Sequence, residues 1–500
     1  MADFSSLNGY NVKDAKARQD LSALDQKVDD TKTDLEGDLA ALDQKVDDTK
    51  TDLEGELDQL DLESKREEDY NRYHLFVMPV SLPAFFDRLK IYESNDNRNY
   101  KHNINPANFM RTGGSNTWYV DPTAATSGTA GTSQDPDGTL YRAINNHASA
   151  NDTVILRPGI YRRADFAFAE NSAKVYKSIN IIAEEGAILT NSDELEWSKT
   201  ANRSNVYQAN RSAVQNVIDI RGKDNGIFAK LTKVTSISAV DSTLNSWYTE
   251  SNVLYVNIGE QVTNDKVVAN LGTGNVPMPI NSVNYDQSIY LEGLVCLGGD
   301  RSIVRIESST SYSCFAVANK CRFLFASDVA EGGCMQVRGA DTIFVDCEAS
   351  YAATDGFGYH AANNRTCNAI EINCIGSNNG VGNTYHANPI HNGSTVHDGC
   401  KIVRIDGRYF ENNGSNVADV NDNTVSININ CRAYDSQAQT HNVYDSDFCA
   451  QQSGATMYLY NCWSNGGNSD TNIFAVSGTT INLQRTKHKT TGGGGTINVN

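Results

Sequence analysis

Apolar residues recur over residues 21–60 in steps of three and four: Leu21, Leu24, Val28, Thr31, Leu35, Leu39, Leu42, Val46, Thr49, Leu53, Leu57 and Leu60. Residues 21–38 and 39–56 are near copies of one 18-residue unit with five such positions, a period of 3.6 residues. That periodicity predicts an amphipathic helix. A heptad seam supercoils to the left and a hendecad seam to the right, so a period between them predicts an almost straight bundle. The stripe is narrow and nothing else in the segment can bury it. Gly37 and Gly55 each cost the helix about 1 kcal/mol of propensity, and partner helices are therefore expected. The pattern does not set the oligomer order.

From Trp118 onward the pattern changes to short alternating runs. A motif recurs as Val317-x-Asn319-Lys320-Cys321, Ile343-x-Val345-Asp346-Cys347, Ile370-x-Ile372-Asn373-Cys374, Val403-x-Ile405-Asp406-Gly407, Ile427-x-Ile429-Asn430-Cys431 and Tyr458-x-Tyr460-Asn461-Cys462, with Gly293 ending an earlier copy. The intervals are 28, 26, 27, 33, 24 and 31 residues. Seven residues before each copy's last position stands a second small residue: Cys314, Ala340, Cys367, Cys400, Thr424 or Ala455. Alternation marks strands, and self-similarity at this period marks a solenoid. Stacked rungs about 4.8 Å apart are expected to bury a column of Ile and Val inside, with the residues between them pointing out. Residues 191–285 interrupt the pattern, and LNSWYTESNVLYVNI (244–258) reads as a hairpin in a β excursion. Gly492–Gly495 followed by TINVN reads as a loop and a last short strand.

Charge divides the chain in the same way. The net charge is −19, but residues 20–69 hold 19 acidic and 6 basic side chains, a net of −13, which leaves −6 for the rest. A near-neutral body and an acidic stalk argue against nucleic-acid binding, which draws its affinity from Lys and Arg. Leu75–Phe86 is the longest apolar stretch and contains Pro79 and Pro83, so no membrane-inserting helix is expected. No basic flank and apolar core mark a secretion signal at the start of the sequence. All 11 cysteines lie between Cys296 and Cys462, mostly at the small rung positions, without C-x-x-C spacing. They are expected to be stacked free thiols that pack as small hydrophobes, rather than a disulfide frame or a zinc site.

The interval of 33 residues before Gly407 signals a loop that leaves the solenoid, NTYHANPIHNGSTVHDG. Four of the nine histidines, His360, His386, His391 and His397, fall within 38 residues. The turn ATDGFGYH adds Asp355 and Tyr359. Glu371 and Arg404 occupy equal places in successive rungs and are expected to face outward side by side. Asp355, Glu371 and His397 are the candidate general acid–base groups. Tyr359, His360, His386, His391, Asp398 and Arg404 are the candidate substrate-binding groups. The competing reading is an exposed Glu371–Arg404 pair worth under about 1 kcal/mol and loop histidines that only bond turns. Asp419-x-Asn421-x-Asn423 lacks the Gly and Glu of a calcium loop, so neither a metal nor a cofactor is expected.

The segment WYVDPTAATSGTAGTSQDPDGTLYRAINNHASANDTVILRPGIYR (118–162) orders a strand, a loop, a short amphipathic helix (Leu140, Ala143, Ile144, His147), an Asn-Asp turn, the strand Thr153–Leu156 and a Pro-Gly turn before Tyr161. It resembles the start of right-handed parallel β-helix proteins of the pectate-lyase-like superfamily. The expected fold is therefore mainly β, a right-handed parallel β-helix preceded by an α-helical coiled coil. The expected organisation is an N-terminal attachment segment (1–20), stalk (21–69), irregular neck (70–112), cap and first rungs (113–190), rungs with the β excursion (191–285) and main rungs to the C-terminal end (286–500).

Stalk and solenoid together resemble bacteriophage tail fibres and tailspikes. The resemblance implies a homotrimer on the virion, assembled in the host cytoplasm, joined through its N-terminus to tail or baseplate proteins and binding a host surface glycan. A polysaccharide depolymerase, a lyase or glycosidase on the same face, is the alternative. A purely structural appendage is the third.

Overall fold

The computed structural model describes residues 24, 26–32, 45, 72–124, 131–166, 168, 174–272, 277–326, 333–381, 391–437, 446–466 and 471–500. The chain divides into two compact units, Met1–His74 with Glu93–Asp96, and Leu75–Tyr92 with Asn97–Asn500. In the first unit residues 26–32 are helical, with Gln26 Nε2 donating to Asp30 Oδ1 at 2.9 Å. Leu24 and Val28 of the predicted stripe are exposed there. The rest of the predicted stalk, Leu24, residues 26–32 and Lys45 excepted, lies outside the described residues.

The second unit is a parallel β-helix. Its chain runs repeatedly through three parallel sheets, with nine strands in sheet I, twelve in sheet II and nine in sheet III among the described residues. One rung is Phe357–His360 in sheet I, Asn368–Ile372 in sheet II and Ile375–Ser377 in sheet III. The next rung is Ser394–Val396, Lys401–Ile405 and Arg408–Phe410. Rungs pair in register, Ile370 with Val403 and Ile375 with Arg408. At the N-terminal end Leu140–Arg142 and the turn Ala143–His147 bury Leu140, Ala143 and Ile144 against Val120, Val154 and Leu156.

The recurring motif is the sheet II strand and its corner, but its faces are the reverse of the expectation. Ala318, Phe344, Glu371, Arg404, Asn428 and Leu459 share one register column, and they are buried in the solenoid interior. The Ile and Val column (Val317, Ile343, Ile370, Val403, Ile427) lies on the other face. It is buried too, because Phe76, Phe85, Phe86, Leu89, Ile91 and Ile104 cover it. Residues 75–92 and 97–110, within the span expected as an irregular neck, run as a strap along the outside of sheet II. A strand buried on both faces is apolar on both, and a one-residue change of parity exchanges every side chain.

The corner between sheets II and III explains the motif's polar letter. Lys320, Asp346, Asn373, Asp406, Asn430 and Asn461 all have φ between 50° and 56°, the left-handed region that Asn and Asp tolerate best after Gly. Asn373 Nδ2 donates to Asp346 Oδ1 at 2.7 Å, and Asn430 Nδ2 to Asp406 Oδ1 at 2.6 Å, so the corners also bond rung to rung. The following position holds Cys321, Cys347, Cys374, Cys431 or Cys462, whose thiols donate to backbone carbonyls inside the coil. All 11 cysteines are free and buried.

Residues 198–271 form two antiparallel-rich sheets with a core of their own around Trp247, Leu254 and Val256. Within them Ser246–Glu250 pairs antiparallel with Val253–Asn257. Ile218, Ile220 and Val268 pack onto Leu297 and Leu324, which fixes the excursion to the outside of sheet III.

Candidate functional site

Three of the candidate residues point away from solvent. Tyr359, Glu371 and Arg404 are each 0% exposed, inside the solenoid, so none of them can touch a polysaccharide. The expected outward Glu371–Arg404 pair is corrected for the parity reason given above. Instead, Glu371 Oε1 accepts from Tyr359 Oη at 2.7 Å and from Ser394 Oγ at 2.8 Å, and Tyr409 Oη donates to Oε2. Arg404 Nε donates to Ser394 Oγ at 2.9 Å, and Nη1 to Asn428 Oδ1 at 3.1 Å and Asp419 Oδ1 at 3.4 Å. Ser426 completes the network on Asp419. Burial, and then the Glu371 carboxylate, push both phenols well above their ordinary range. A buried ion pair such as Arg404–Asp419 adds little net stability over an apolar replacement, whereas removing one partner alone is costly.

The remaining candidates split between the two ends of the sheet I strands. Asp355 lies in the turn before Phe357–His360 and accepts from Asn392 N at 2.8 Å and Nδ2 at 3.1 Å. Burial pushes its carboxyl up to about 7, against those hydrogen bonds. His391 is buried against Gly380 at the same end. His386 lies outside the described residues.

At the other end His360 and His397 stack with ring centroids 4.4 Å apart and 19° between planes. His397 Nε2 is 3.0 Å from Thr395 Oγ1. Burial and the neighbouring His360 pull His397 down to about 3, against Asp398, so its imidazole is neutral at ordinary pH. Asp398 Oδ2 is 4.0 Å from His360 Nδ1 and half-exposed. Five residues of extended chain, about 16 Å, separate Asp355 from the histidine end. The trio Asp355, Glu371 and His397 therefore does not converge.

What does converge is an outward column on sheet I. Register places Glu307 beside Arg338 and Arg338 beside His360, and His397 follows. Arg305 and Gln336 form the neighbouring outward column. Arg305 Nη2 lies 3.2 Å from Glu307 Oε2, Arg338 Nε lies 3.8 Å from Glu307 Oε1, and Asn363 Nδ2 donates to Glu307 Oε1 at 3.5 Å. The strands SIVRIES (302–308) and GCMQVR (333–338) alternate apolar and polar residues, which was the available signal for this face. Its guanidiniums, amide and imidazoles can hydrogen-bond sugar hydroxyls over several rungs.

On the same face Glu307 and Asp398 do not form a hydrolytic carboxylate pair. Glu307 and Asp398 stand three rungs apart, about 14 Å at the strand spacing, wider than the roughly 5–9.5 Å that glycoside hydrolysis uses. Among the described residues no three His, Cys, Asp or Glu are grouped to hold a metal ion.

No family model matches the sequence, and no curated protein matches it. Among solved structures the chain is similar to one titled "Glycoside hydrolase", at 9% identity and a TM-score of 0.50, over 77% of this chain and 96% of that one. The chain is a parallel β-helix protein. It is also similar to pectate lyase Pel9A, at 13% identity and a TM-score of 0.31 over 78% and 82% of the two chains. A third similarity is to ORF18 of Geobacillus virus E2, at 11% identity and a TM-score of 0.32 over 79% and 59%. At 9% identity what is shared with the first of these is the fold.

Proposed function

We propose that this protein is a bacteriophage tail fibre or tailspike whose β-helix binds a host-surface polysaccharide along the outer face of sheet I. The observation that carries the reading is the row Arg305, Glu307, Gln336, Arg338, His360 and His397, polar groups of both charges facing outward on successive rungs. Such a row repeats at about 4.8 Å and suits a polymer of pyranose rings laid along the coil. In this reading residues 21–69 are the stalk of a homotrimer, and residues 1–20 join it to tail or baseplate proteins of the virion. Assembly in the host cytoplasm suits the eleven free thiols.

Binding of purified host capsule or cell-wall polysaccharide tests the reading directly. Saturable binding that weakens at least about tenfold on Arg338→Glu, the size of one lost charge-assisted contact, is expected. Binding unchanged by that substitution overturns the assignment to sheet I. Deleting residues 1–69 is expected to abolish incorporation into virions, and retained incorporation overturns the role of the stalk.

Depolymerisation is the second reading, favoured by Asp355, whose carboxyl is held near 7, where a general acid is most effective. Shortened glycan chains that disappear with Asp355→Asn support it.

A further inference from the structure

We infer that the outer face of sheet III, in its C-terminal rungs, is a second binding site, and that it takes an acidic polysaccharide. It goes beyond the site proposed on sheet I and uses different residues.

Arg408, Arg432 and Trp463 are consecutive members of one outward column, paired in register, and Lys487 bridges to Trp463 on the next turn. Phe410 and Tyr434 form the adjacent outward column, their rings stacked at 4.9 Å and 4°. Trp463 continues the aromatic row at 5.8 Å from Tyr434 and is 37% exposed. Asn430, Arg432, Asn461, Trp463, Arg485 and Lys487 enclose a pocket of about 360 Å³.

Among the described residues Arg408, Arg432 and Lys487 lack the acidic partner that Arg322 has on the same sheet. Two rungs before Ile375 in the same column, Arg322 is tied to Glu348 at 2.8 Å. Among the described residues no ion pair engages Arg408, Arg432 or Lys487, and Arg485 donates to Tyr100 Oη at 2.9 Å. Glu411 and Asp435 are the carboxylates that act on Tyr434, against Arg408 and Arg432. Positive charge therefore predominates along the strip.

The chemistry of the ligand follows from these groups. Flat aromatic faces receive the apolar faces of pyranose rings, and guanidiniums take carboxylates in two-pronged hydrogen bonds. The rungs repeat about every 4.8 Å, close to the length of one sugar ring, so ring and charge can alternate along a chain of uronate residues. A second copy of this protein is a poorer occupant, since its strip would bring the same cations against these.

The test is calorimetric titration of the full-length protein, in low-salt buffer, with a decameric oligogalacturonate, a neutral maltodecaose and a ten-residue polyglutamate. The oligogalacturonate is expected to bind, and each of Trp463→Ala and Arg408→Glu/Arg432→Glu to weaken it at least about tenfold, one stacking or charge-assisted contact. A charge reversal at a distance, Lys90→Glu, is expected to leave it unaltered, and all variants to keep the wild-type circular dichroism. No binding of the oligogalacturonate overturns the inference. So does binding that Trp463→Ala leaves intact, or equal binding of polyglutamate (charge alone) or of maltodecaose (rings alone). Dissociation of an oligomer by Arg408→Glu/Arg432→Glu overturns it in favour of an interface between copies. Loss on Arg338→Glu with Trp463→Ala silent overturns this inference while leaving the reading of sheet I intact.

Discussion

Tyr359 Oη donates to Glu371 Oε1 at 2.7 Å across the solenoid interior, from a strand of sheet I to a strand of sheet II. Ser394 and Tyr409 donate to the same carboxylate, so one glutamate of sheet II satisfies hydroxyls from sheets I and III. Glu371→Ala leaves three buried donors without an acceptor. At about 1–3 kcal/mol for each orphaned group, a loss of at least about 3 kcal/mol is expected in urea unfolding. Polysaccharide binding by the fraction still folded is expected to be unchanged, which separates this structural role from a catalytic one.

Asp355 and His397 predict opposite pH dependences. A carboxyl raised to about 7 when folded, against about 3.9 unfolded, keeps its proton longer in the native state. Stability is then full below about pH 4 and falls as pH rises towards 7. An imidazole lowered to about 3, against about 6.5 unfolded, gives the reverse: stability is full above about pH 6.5 and falls as pH drops towards 3. Melting curves across this range are expected to lose the first slope in Asp355→Asn and the second in His397→Gln. A slope retained in its own variant contradicts the corresponding assignment.

Every thiol is buried, and burial pushes Cys296, Cys314, Cys334 and Cys449 upward in pKa. Since the thiolate is the reacting form, a chromogenic disulfide reagent is expected to find no fast-reacting thiol in the native protein and all eleven after denaturation. Rapid labelling of the native chain contradicts this packing.

Phe86 is 4% exposed in the strap over sheet II. Phe86→Ala is expected to cost about 3 kcal/mol, and removing the whole strap to expose the Ile and Val column and cause aggregation. Equilibrium unfolding and light scattering measure the two effects.

The strands, their order and the cap helix were legible because turn residues and alternation repeat with every rung. The motif Ile370-x-Ile372-Asn373-Cys374 announces a strand and a left-handed corner from its letters alone. Which of its faces looks inward was not legible. Ile370 and Ile372 face a strap that is some 300 residues distant in sequence, and Glu371 faces the interior because Tyr359, Ser394 and Tyr409 meet it there. Alternation gives the period of a strand and not its phase. For the site, the histidine count led to the stacked pair His360 and His397 but not to Arg305, Glu307 and Arg338. Those stand in earlier rungs, and only register brings them beside the histidines.

The two-residue corner between sheets II and III, Asp346–Cys347 in one rung and Asn430–Cys431 in another, has no room for an inserted residue without breaking its ladder. The connections from sheet III to sheet I carry no such constraint: six residues join Ser350 to Phe357, and sixteen join Ser377 to Ser394. The coil is thus a ruled frame with one hinge line of fixed length and one margin of free length. Segments can be exchanged along that margin, at the end of the sheet I strands where Asp355 stands, while the rungs keep their register. A protein built this way can be re-aimed at a new surface by editing its margin alone.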